Sequence, residues 1–80
     1  MTKDELLNRI NEEKLDAYHC NIDYGVINDD EIGIIKQNGR YQIYMSNERG
    51  GIHITDECAT EGDAFDEIYT FLKAKKNVDG

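Results

Sequence analysis

The two histidines and two cysteines of this 80-residue chain, His19, Cys20, His53 and Cys58, are where metal or nucleophile chemistry would first be sought. Four such side chains can hold a tetrahedral zinc ion, but fingers and ribbons supply their ligands in closely spaced pairs, and Cys20 and Cys58 stand 38 residues apart. Thiol catalysis needs a neighbouring base, an oxyanion donor and a cleft. The nearest imidazole, His19, adjoins Cys20 on a segment that reads as extended, so the two side chains point to opposite sides. The acid pairs Glu12-Glu13, Asp29-Asp30 and Asp66-Glu67 lack the D-x-D-x-D-G spacing and distant glutamate of a calcium loop, and read as solvated charge. No enzyme, no metal ligand set and no cofactor is expected.

One further cluster, Glu48-Arg49-Gly50-Gly51, has a different potential. As structure it is a polar turn with two conformationally free residues. As function, an arginine held beside a carboxylate at the end of a sheet anchors a protein partner well, because arginine is enriched at interface hot spots.

Composition narrows the partner. Seventeen acids against nine bases give a net charge of −8, with a pI near 4.5. Nucleic acid is excluded as a ligand on this ground, because a phosphate backbone needs clustered Lys and Arg, and an anionic membrane would repel the chain. The middle stretch, 32–51, has one acid and three bases, whereas 1–31 has nine acids and three bases and 52–80 has seven and three. The opening MTKDELLNRI lacks the basic, apolar and small-residue sections of a signal peptide, and no run approaches a membrane span, so a cytoplasmic protein with reduced cysteines is expected. At this length, residues 1–80 form one domain that buries only roughly 60% of its unfolded surface, which suits a binding surface better than a deep cleft.

The elements that must position these residues follow from periodicity and punctuation. Thr2 and Glu5 form a capping-box pattern ahead of a helix from about Lys3 to Glu13, with Leu6, Leu7, Ile10 and Leu15 as its apolar stripe. Tyr18, Cys20, Ile22 and Tyr24 alternate with polar residues, the period of an edge strand or a pinned extended loop. Asn38-Gly39 between Glu31–Gln37 and Arg40–Asn47 is the signature of a type I′ hairpin. Ile52 and Ile54 mark a third strand, and Thr60 caps a second helix with Ala64, Phe65, Ile68, Phe71 and Leu72 on one stripe. The fold expected is α+β: a three-stranded antiparallel sheet, four-stranded if the Tyr18–Tyr24 segment joins it, with the N- and C-terminal helices on one face (αβββα). Tyr41, Ile43 and Met45 face the helices; Lys36, Gln42, Tyr44, Ser46, His53 and Thr55 are expected on the open face, with Tyr44 half-exposed.

The capped helix, Tyr18-x-x-x-Ile22, the Ile-rich strand, Gly39-Arg40-Tyr41-Gln42-Ile43-Tyr44, Glu48-Arg49-Gly50-Gly51 and Thr60-Glu61-x-x-Ala64 follow one another in an order that resembles a small immunity-protein family of bacterial polymorphic toxin systems. The resemblance covers about Lys3 to Leu72. Tyr41 stands where that family more often has tryptophan, and Gly62 interrupts the helix start; both departures bear on core and helix rather than on surface. The resemblance implies a non-catalytic protein that binds and neutralises a cognate toxin domain, a nuclease being one natural target of an acidic inhibitor. Two other readings remain open: an acidic inhibitor that mimics nucleic acid, and a homo-oligomerising regulatory module. Partner contacts are expected from Asp23, Tyr24, Asp29, Asp30, Glu31, Tyr44, Glu48, Arg49 and His53, in a monomer or weak dimer.

Overall fold

The computed structural model describes residues 1–15 and 20–79. Helix α1 spans Lys3–Glu12 and begins as its sequence dictates: Thr2 Oγ1 accepts from the Glu5 amide at 3.2 Å, and the Glu5 carboxylate accepts from the Thr2 amide at 3.3 Å. It ends through Lys14 in the left-handed region (φ +53), which lets the Leu15 amide reach back to the Ile10 carbonyl at 2.9 Å and places Leu15 beside Ile10. Leu6, Leu15 and, in part, Ile10 are buried, whereas Leu7, expected on the same stripe, is 45% exposed. The reason is that α1 packs on the second helix and not on the strands, so only a narrow stripe is covered. Thr2→Ala removes one half of the capping box and should cost about 1 kcal/mol, read as a melting temperature lower by about 4–8 °C.

Four strands follow: β1 (Cys20–Asn21), β2 (Ile32–Gln37), β3 (Arg40–Ser46) and β4 (Ile52–Cys58), then helix α2 (Glu61–Asp79). The sheet order is β1-β2-β3-β4. Asn38 and Gly39 both have positive φ, +53 and +76, so the predicted type I′ turn joins β2 to β3. The wholly antiparallel sheet expected from the sequence is corrected to a mixed one, because β1 pairs parallel with β2 (Cys20↔Ile32, Asn21↔Gly33). Residues 22–31 carry the chain back to the start of β2, and a connection of that length allows two neighbouring strands to point the same way. The Tyr18 and His19 part of the extended segment lies outside the described residues.

Thr60 Oγ1 accepts from the Asp63 amide at 3.1 Å and opens α2. Ala64, Phe65, Ile68 and Leu72 then face Ile32, Ile34, Ile43 and Cys58, one side of the sheet, with Leu6, Leu15 and Ile22 completing the core. The helices are clasped by Tyr69, whose hydroxyl donates to the Glu13 carboxylate at 2.7 Å while Arg9 lies 5.2 Å from its ring. That bond and the neighbouring Lys73 ammonium hold the Glu13 carboxyl below its ordinary range.

Candidate functional site

On the side of the sheet away from α2, Tyr44 is the organising residue. It pairs with Gly33, whose missing side chain leaves room for the phenol ring, and it is fully buried although it lies outside the apolar core cluster. Its hydroxyl accepts from Asn21 Nδ2 at 2.9 Å and donates to the Glu31 carboxylate at 3.1 Å. The same Asn21 amide reaches the Gly25 carbonyl at 3.2 Å. The Glu31 carboxylate also takes the Asn28 amide at 2.5 Å, and Ser46 Oγ donates to the Asn28 carbonyl at 2.6 Å. Residues 21–31 are thereby strapped across Tyr44. Burial pushes the phenol up to about 12, with the Asn21 bond opposing and Glu31 adding to the shift.

Two expected contact residues are therefore corrected. Tyr44 cannot reach a partner, because the strap covers it. Glu31, expected at an acidic loop tip, is buried with 6% exposure and accepts within this network.

The other predicted residues separate into two groups. Asp29, Asp30, Glu48, Arg49 and His53 gather, all exposed, at the end of the sheet where β2 and β4 begin and β3 ends. There the Asn47 carboxamide accepts from the Arg49 and Gly51 amides at 2.9 and 3.0 Å, so the turn presents Arg49 on a fixed backbone. Asp23 and Tyr24 lie toward the other end, where Asp23 pairs with Lys3 and the Tyr24 hydroxyl donates to Glu61. Partial burial and that bond push the Tyr24 phenol up.

His53 and Lys36 were expected on the open face but pair with Met45 and Tyr41 and so lie on the α2 side. A β-bulge is the cause for His53. Ile43 pairs with Asp56 and Tyr44 with Ile54, so Thr55 is an extra residue, and everything before it in β4 changes face. The bulge turns Ile52 and Ile54 outward, where they remain 48% and 42% exposed. Beyond it on the same outer face, Glu57 pairs with Arg40 at 2.5 Å and accepts from Gln42 at 3.2 Å. Unbroken alternation had concealed these two isoleucines; no local signal in IHITDEC marks the bulge.

A second feature missed in the sequence is the concentration of acids where β4 meets α2: Asp56, Glu57, Glu61, Asp63, Asp66 and Glu67, all exposed. Asp56 and Glu67 place carboxylate oxygens within 4.8 Å of each other, and the interaction with Asp56, then burial, raises the Glu67 carboxyl above its ordinary range.

The thiols are arranged against nucleophilic chemistry. Burial pushes Cys20 up to about 11, with Glu31 adding to it, and burial and the surrounding carboxylates also raise Cys58. Both shifts favour the protonated thiol over a reactive thiolate. Cys20 and Cys58 stand on opposite outer strands, separated by roughly 14 Å across three strand spacings and further by lying toward opposite ends of the sheet, so they cannot share one metal ion.

No helix among the described residues is long and apolar enough to cross a membrane. Compared with family models, curated proteins and solved structures, the chain shows no significant match.

Proposed function

We propose that this chain is a non-catalytic binding protein of the bacterial cytoplasm that neutralises a cognate toxin domain carrying a basic surface, as the resemblance to immunity proteins implies. The observation that carries this reading is the outer face of β4. β4 is an outer strand of the sheet whose face away from α2 carries two exposed isoleucines and Glu57, while the carboxylates of Asp56 and Glu67 stand on its α2 side. Apolar anchors at the centre with acidic surroundings suit a protein partner whose own surface is apolar and ringed by lysine and arginine. The net charge of −8 would steer such a partner and speed its association. A nuclease domain, with a cleft built for phosphate, has the matching chemistry.

Co-expression with a toxin encoded beside this chain should restore growth and yield a stable complex. Ile54→Lys should keep the fold, since the side chain is exposed, and weaken the complex by about thirtyfold, the loss of one hot-spot residue worth about 2 kcal/mol. Lack of rescue against every neighbouring toxin, or an unchanged affinity in the Ile54→Lys variant, would overturn the assignment.

A further inference from the structure

Asp56 and Cys58 are two residues apart on β4, so their side chains emerge on the same face, the one that receives α2. Glu67, in the second turn of that helix, meets them: one ligand atom from each of Asp56, Cys58 and Glu67 lies within 4.8 Å of the other two. Around a tetrahedral ion with bonds of 2.0–2.3 Å, ligand atoms stand roughly 3.5 Å apart, so modest side-chain rotation closes the set.

Two features single this cluster out from the other acids of the surface. Its two like-charged carboxylates place oxygens within 4.8 Å of each other, an arrangement that a cation between them converts from repulsion to attraction. The Cys58 thiol, only 7% exposed, has no hydrogen-bond partner among the described residues, and its sulfur lies within 4.8 Å of an oxygen of each carboxylate. One Asp56 oxygen already accepts from the Glu57 amide at 2.8 Å, which fixes that side chain and leaves its second oxygen available. The softness of the set chooses the ion. Calcium and magnesium prefer oxygen alone, whereas a thiolate with two carboxylates suits a borderline-soft divalent ion.

We propose that Asp56, Cys58 and Glu67 form a zinc site that clips the edge strand β4 to helix α2, with the fourth position open to water. Binding releases the Cys58 thiol proton to solvent, and the sulfur becomes a thiolate ligand. Asp63, one turn before Glu67, adds negative charge beside the thiol without being required as a ligand. The site is independent of the toxin-binding reading, since it requires no partner.

The full chain, stripped of metal with a chelator and kept reduced, is titrated with Zn²⁺ against a chromophoric competitor and with Co²⁺ by absorption. One equivalent should bind, and Co²⁺ should give a thiolate-to-metal charge-transfer band. Glu67→Gln, an exposed change that leaves the core intact, should weaken Zn²⁺ binding at least tenfold. Cys58→Ser should abolish the band, Cys20→Ser should retain it, and zinc should raise the melting temperature of the unaltered chain but not of the Glu67→Gln variant. Absence of saturable binding, equal affinity in Glu67→Gln and the unaltered chain, or a band lost in Cys20→Ser and kept in Cys58→Ser would each overturn the site.

Discussion

Tyr44→Ala should lower the stability of this protein by about 4 kcal/mol, the cost typical of removing a buried aromatic ring. Two contributions combine. The ring is fully buried over Gly33, so its loss leaves a cavity between the sheet and the 21–31 strap. Its hydroxyl is also the joint between Asn21 and the buried Glu31 carboxylate; Asn21 keeps the Gly25 carbonyl and Glu31 keeps the Asn28 amide, so each lost bond adds about 0.5–1.5 kcal/mol. A chain of this length has only about 4–12 kcal/mol in all, so the variant loses about a third of its stability or more. Urea denaturation would show the midpoint lowered by the same fraction. Tyr44→Phe separates the two contributions: it keeps the ring, removes the joint and should cost about 1–3 kcal/mol. A Tyr44→Ala midpoint close to that of the unaltered chain would mean that the ring is not packed as described.

Gly33→Ala should be nearly as damaging, although it adds a single methyl group. A Cβ at Gly33 would stand 2.5 Å from the Asn21 carbonyl oxygen, 2.6 Å from the Tyr44 hydroxyl and 2.7 Å from the Tyr44 ring. None of these neighbours can retreat cheaply. The carbonyl is backbone in the short β1–β2 pairing, and the ring is held at its far end by Asn21 and Glu31. Overpacking of this kind costs about 3 kcal/mol, and the melting temperature should fall by more than about 10 °C. The two substitutions are coupled through the same space. Removing the ring relieves two of the three close approaches, so the double variant Gly33→Ala/Tyr44→Ala should lose less than the sum of the single losses. Strict additivity in this cycle would separate Gly33 from Tyr44 and refute the close approach.

These effects meet at a position that the sequence placed on the wrong footing, and the contrast shows what kind of information a sequence holds. The capping box at Thr2 and Glu5, the type I′ turn at Asn38-Gly39 and the Thr60 cap of α2 were all legible, and the helices and the three long strands formed where their periodicity predicted. Each of these depends on residues within about four positions of one another, so local propensity and hydrogen-bonding chemistry suffice to determine them.

What only the tertiary structure decided is which side of an element is covered, and by what. Alternation placed Tyr44 opposite the helices correctly, but could not reveal that residues 21–31 fold over it and bury it with Glu31. It could not reveal the extra residue at Thr55 that turns Ile52 and Ile54 to the face away from α2 and His53 to the α2 side, because one bulge residue reverses a two-residue period. Nor could it bring Asp56 and Cys58 to Glu67, since the helix that carries Glu67 reaches them only by packing on the sheet. Length, charge and local pattern determined that this is a small acidic α+β domain. Which faces are covered and which stay exposed were decided by register, by the strap and by contacts between residues distant in the chain.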